Sequence, residues 1–235
     1  MKKILRSVLA ITMGVVMLMP VTALAADDPT LISTQQVTLT SSEATTRSTE
    51  SKEFTLHTYN DNGVTVYSFD VEDEEYRQAA MEYINELTGD PGSTSQTRGM
   101  LMPGESEYQN DTQYDGDSIS YAWKRNTADF TGNNFEGGQA SHWFGEGNCD
   151  YIILNQAISV SNISVSISWP PSVSSSGTSG SWQSQPIYDN VAGSTFNGLR
   201  ISGAAFSCTF NESGDVYVGS RVYRPITSIT FNYSS

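Results

Sequence analysis

Apolar residues recur two apart, with Ser, Thr or Asn between them, in Ile119-Ser120-Tyr121-Ala122-Trp123, Ile163-Ser164-Val165-Ser166-Ile167-Ser168-Trp169 and Ile229-Thr230-Phe231-Asn232-Tyr233. Successive side chains of an extended strand point to opposite faces, so this spacing predicts one buried face and one hydroxyl-rich wet face. Further candidate strands run over Tyr151–Leu154, Ile158–Trp169, Trp182–Tyr188, Leu199–Phe210 and Val216–Tyr223. In the long middle run, Ile158 and Val160 alternate in one phase and Ile163 to Trp169 in the other. One extra residue near Ser161-Asn162 therefore predicts a bulge or a switch between sheets. Short strands punctuated by Gly, Asn and Ser indicate an antiparallel β-sandwich over 117–235, with a barrel or jelly roll as the alternative.

Upstream the period changes. Phe54-Thr55-Leu56-His57-Thr58-Tyr59 and Val64-Thr65-Val66-Tyr67-Ser68-Phe69 flank Asn62-Gly63, a pair that tolerates the positive φ of a tight hairpin turn. Tyr76, Ala80, Tyr83, Ile84 and Leu87 then recur at helical spacing between about Glu72 and Thr88. Acids crowd the start of that segment, and Gly89 with Pro91 ends it. Residues 53–89 thus predict a small ββα unit, too small to stand alone without docking.

Three stretches lack such periodicity. Residues 1–25 carry Lys2, Lys3 and Arg6, an apolar run from Val8 to Met19, and Ala23-Leu24-Ala25, the three parts of a secretory signal peptide. Residues 26–52 are rich in Ser, Thr and Glu and predict a disordered tether, with a short strand allowed at Gln36–Leu39. Residues 90–116 read as a second linker.

Charge changes the picture of partners. The net charge is -14, and it is unevenly spread: Asp27 to Asp115 holds 18 acids against 4 bases, whereas Gly116 to Ser235 holds 8 against 5. Such a surface repels phosphate backbones and anionic lipid, so nucleic acid is not an expected partner. With export predicted and no further apolar run, the expectation is a secreted, extracellular protein with no stable membrane anchor.

Candidate chemistry is sparse. Cys149 and Cys208 form an even pair in an oxidising compartment, and a bridge between them would stabilise by roughly 4 kcal/mol. The alternative is two buried thiols. His57 and His142 fall in different segments, and no zinc spacing, nucleophile elbow or phosphate loop is present. No catalytic residue is assigned, although Asp117, Asp129, Glu136, Glu146, Asp150, Asp189, Glu212 and Asp215 leave a glycosidase-like carboxylate pair open. Asp111, Asp115 and Asp117 around Gly116 half-match a Ca²⁺ loop; Ala122 stands where the bidentate acid belongs. Trp143, in a Gly-rich loop, and Trp182, beside a Ser/Gly loop, are candidates for a binding platform. The leading expectation is a secreted bacterial β-sandwich that binds an extracellular protein or glycan without catalysis. The alternatives are a toxin or bacteriocin-like effector with an acidic pro-region, and an extracellular hydrolase.

Overall fold

A computed structural model describes residues 28–40, 51–91, 101–161, 165–203 and 205–233. The strands are β1 (Thr30–Thr40), β2 (Ser51–Asp61), β3 (Val64–Asp70), β4 (Ser106–Asp115), β5 (Ser118–Asp129), β6 (Gly132–Trp143) and β7 (Tyr151–Ser161). They continue as β8 (Ser166–Ser168), β9 (Ser174–Ser176), β10 (Ser179–Gln183), β11 (Val191–Ser202), β12 (Phe206–Val218), β13 (Arg221–Tyr223) and β14 (Ile226–Tyr233). One helix, α1 (Glu74–Leu87), follows β3. All strand pairs are antiparallel. The larger sheet has the order β1-β2-β3-β11-β6-β5-β4, with β8 also on β11. The smaller has the order β13-β12-β7-β10-β9, with β14 also on β12. The chain is therefore mainly β and sandwich-like, and it forms no closed barrel.

The alternation forecast from sequence places the core. Ala122 of β5, Phe135 of β6, Ile152, Leu154 and Ile158 of β7, and Cys208, Phe210 and Val216 of β12 fill the space between the sheets. A second cluster lies on the other face of the large sheet. There Tyr76, Ala80, Met81 and Ile84 of α1 cover Leu56, Phe69, Ala140 and Val191. The result is three layers: helix, wide sheet, narrow sheet. Among the described residues no helix is long and apolar enough to cross a membrane.

Several expectations are met. The β2–β3 hairpin turns at Asn62 (φ 53°) and Gly63 (φ 92°), as the Asn-Gly pair dictates. The phase change after Ser161 is a switch between sheets. Up to that residue β7 pairs with β12, whereas β8 pairs with β11 in the other sheet. Residues 162–164 lie outside the described residues, as do the predicted signal peptide, residues 41–50 of the predicted tether and the stretch 92–100.

Other expectations need correction. The stretch read as tether contains all of β1, which pairs with β2 from Thr30↔Asn60 to Thr40↔Ser51. The last part of the second linker is β4, paired along its length with β5. The ββα unit does dock, as its size requires, and it does so by strand pairing. Its strand β3 hydrogen-bonds β11 from Val191↔Phe69 to Ser194↔Val66, so it is built into the wide sheet. Finally, the Gly-rich "loop" around Trp143 is the end of β6, a strand flanked by β5 and β11. A Cβ on Gly138 would fall 2.5 Å from Thr88 Cβ, and one on Gly193 would fall 2.4 Å from Ile84 Cγ2. These glycines let α1 sit close to the sheet.

Two polar devices fix the helix. Arg77 is fully buried beneath it and donates to the carbonyls of Val71, Glu72, Trp143 and Gly145 and to Asn148 Oδ1. Beyond its C-terminal end, Asp90 accepts hydrogen bonds from the Tyr108 and Tyr121 hydroxyls, each at 2.5 Å.

Candidate functional site

The wide sheet provides a groove. On β2 and β3, His57, Tyr59, Asp61, Val66, Ser68 and Asp70 share one face, because His57 stands opposite Ser68 and Tyr59 opposite Val66. The segment 184–189 forms the facing wall. It is held to β7 by Ile152 N–H donating to Ile187 O (2.7 Å), by the reciprocal bond (2.9 Å), and by Ser184 N–H donating to Leu154 O (2.9 Å). Asp61 accepts from the Gln185 backbone N–H and so closes the wall onto the hairpin. Pro29 completes the rim, and the groove encloses about 370 Å³.

Its lining is acidic and aromatic. Asp61, Asp70 and Asp189 meet there with His57, Tyr59 and Tyr188. Burial pushes the Asp189 carboxyl up from its ordinary value. A Ser68 hydrogen bond opposes the shift, the Asp70 charge reinforces it, and His57 again opposes it. Burial likewise raises Asp61, against hydrogen bonds from Gln185 and Asn62. His57 Nδ1 lies 3.3 Å from Thr34 Oγ1 of β1. Tyr188 is 76% exposed at the lip, edge-on to Tyr151 at 6.0 Å, and Tyr151 stacks on Tyr217 at 4.3 Å. Three tyrosines thus continue the groove outward as a platform. An aromatic face beside convergent carboxylates suits a hydroxyl-bearing ligand: the ring covers C–H surface while carboxylates accept from hydroxyls.

The residues singled out from sequence lie elsewhere. Trp143 and Trp182 are 4% and 7% exposed and belong to the core between the sheets, so neither forms a platform. Cys149 and Cys208 are both free. Cys149 sits beside Asp150, whose N–H donates to Tyr217 O, whereas Cys208 stands opposite Val160. They are at opposite ends of the β7–β12 ladder, on the order of 30 Å apart at the rise of a strand, far beyond disulfide reach. Burial pushes the Cys149 thiol up to about 12 and raises that of Cys208 as well, which fits inert buried thiols.

The Ca²⁺ candidate is dispersed too. Asp111 Oδ2 accepts from Ser228 N–H (2.8 Å) and Asp115 Oδ2 from Arg224 N–H (2.6 Å), while Asp117 is in the β4–β5 turn. Two of the three acids therefore satisfy backbone donors on and beside β14, and no His, Cys, Asp and Glu cluster with metal-binding spacing occurs among the described residues. Of the eight carboxylates left open, only Asp189 lines the groove. Asp129 pairs with Arg200, Asp215 with Arg224, and Glu212 is buried against Lys124. Sequence reasoning missed the groove because its members come from β2, β3 and a segment more than a hundred residues downstream. The alternation of His57, Tyr59 and Asp61 was the one signal available.

Comparison with known protein families, with curated proteins and with solved structures finds no match to this chain.

Proposed function

We propose that this chain is a secreted bacterial β-sandwich that acts without catalysis, holding a neutral or amino-bearing glycan in the groove between β2–β3 and the segment 184–189. The observation that carries this reading is the lining itself: Asp61, Asp70 and Asp189 converge beside Tyr59 and the exposed Tyr188 in about 370 Å³, a volume suited to a small saccharide unit. The abundance of acids and the single imidazole disfavour an anionic ligand. Secretion rests on the first 25 residues. The effector reading, with the acidic half removed, faces a physical obstacle: its loss would strip β3 from β11 and uncover the helix seat.

The test is calorimetric titration of the purified protein with neutral, amino and acidic oligosaccharides. The expected result is saturable binding of a neutral or amino sugar, weakened about tenfold or more by Tyr188→Ala, the loss of one stacking contact of ~1.5 kcal/mol. Binding that is unchanged in Tyr188→Ala, or confined to acidic sugars, would overturn it. Progressive cleavage of the sugar during the titration would favour the hydrolase reading instead.

A further inference from the structure

Between the sheets, away from the groove, lies a polar cluster that ligand binding at the groove does not use. Lys124 of β5 is fully buried, and its Nζ donates to Glu212 Oε2 of β12 at 2.6 Å, across the sandwich. The other oxygen of that carboxylate accepts from Gln156 Nε2 of β7, the residue directly opposite Glu212 in the ladder. Backbone carbonyls of Trp123 (3.1 Å) and Gly138 (3.5 Å) also accept from Nζ. The rings of Phe196 and Phe210, each 5.7 Å from Nζ, exclude water. Room for the lysine is made by Gly137, where a Cβ would lie 2.6 Å from Lys124 Cδ and 3.0 Å from Nζ.

An ion pair in this position is a poor source of stability, because desolvating both charges cancels much of their attraction. The arrangement has a different chemical capacity. One carboxylate bridges an amine and a primary carboxamide, so both nitrogens sit on neighbouring oxygens of the same group, held from three strands in two sheets. We infer that Lys124 and Gln156 become joined by an intramolecular amide bond, with Glu212 as the proton shuttle. Glu212 takes the ammonium proton of Lys124, leaving two neutral groups, which a low-dielectric core favours. Burial lowers the Lys124 pKa, against the opposing pull of Glu212, in the direction that frees the amine. The amine lone pair attacks the Gln156 side-chain carbonyl carbon, and a C–N bond forms. Glu212 passes its proton to the departing amide nitrogen and accepts one from the attacking nitrogen. The original C–N bond breaks and ammonia leaves; no oxidant or co-reactant is required. Trp182 stands opposite Gln156 on β10, and its buried indole N–H has no hydrogen-bond partner among the described residues. An unused donor beside the reacting carboxamide suits the oxyanion that forms there. The product would staple the wide sheet to the narrow one at their centre.

The experiment is mass spectrometry of the purified full chain under denaturing, reducing conditions, followed by tryptic mapping. The expected mass is lighter by one ammonia, with no cleavage after Lys124 and a branched peptide joining Lys124 to Gln156. Glu212→Ala should return the unmodified mass and separate peptides. A wild-type chain of unmodified mass overturns the inference. So does a loss of water with Lys124 joined to Glu212, or an ammonia loss that maps to Asn62-Gly63. Because the reading is made on wild-type protein, a variant that fails to fold does not obscure it. Glycan binding at the groove is a separate readout, so either proposal can fail alone.

Discussion

Replacing Arg77 should destabilise the protein more than any single surface change, and its cost can be worked from the contacts. The side chain is 0% exposed, yet no carboxylate pairs with it among the described residues; its charge is met by oxygen dipoles. In Arg77→Met the apolar stem is kept and five hydrogen bonds go. The Val71 carbonyl retains a donor, since Asn190 Nδ2 also reaches it at 3.1 Å. Trp143 O and Gly145 O lose the donor that Nη1 supplied to both. An unsatisfied buried acceptor costs roughly 1–3 kcal/mol, and hydrogen bonds from a charged donor contribute about 1.5–3 kcal/mol each. Relief from burying a guanidinium offsets part of this, so the net loss should be about 3–5 kcal/mol. Arg77→Lys keeps the charge without the fork and should fall between. Urea unfolding at neutral pH measures both. A loss in Arg77→Met below about 1 kcal/mol would show that the carbonyls find water, and that the guanidinium is not what docks the helix on the 143–148 loop.

Acidification supplies a second check. His142 is 4% exposed, its Nδ1 has no hydrogen-bond partner among the described residues, and burial, helped by the Arg77 charge, pushes its pKa down from 6.5 to about 4. The unfolded chain therefore takes up a proton that the folded chain refuses, and stability drains as pH falls from 6.5 towards 4, by up to ~3 kcal/mol. The raised carboxyls of Asp61 and Asp189 act in the opposite sense, so the informative quantity is the slope against a His142→Gln variant. Equal slopes in this window would refute the assignment. The cysteines give the simplest test: folded protein should resist thiol labelling at mildly alkaline pH and take two labels in denaturant without reductant. Rapid labelling of the native state, or none after unfolding, would contradict two buried free thiols.

The elements legible from sequence were those whose two faces differ in polarity. β14 and the hairpin β2–β3 alternate cleanly, and α1 has an apolar stripe. β6 escaped detection because its inward positions carry Phe135, Gln139 and Ser141 while Gly137 and Gly138 lie between them. Its glycines exist for close approach of a lysine stem and a helix, and nothing local announces that. β1 and β4 were missed for another reason: as edge strands they are largely exposed, and their sequences carry the hydroxyls and charges of a linker. The disulfide expectation failed on register. An even count and an oxidising compartment cannot say how far along a ladder two residues lie.

The ladder between β3 and β11 also sets an order of assembly. The hairpin β2–β3 and α1 leave the ribosome early, yet the neighbour that completes them, β11, is made only after β4 to β10. Until Val191 reaches Phe69, the part of the α1 stripe that seats on Ala140 and Val191 and one edge of β3 face solvent, the kind of surface that recruits holdases and invites mispairing. Closure over so long a loop is slow, so the interval is not negligible. The cluster of acids at Glu72 to Glu75, beside this waiting surface, keeps the nascent segment charged while its partner is still being synthesised.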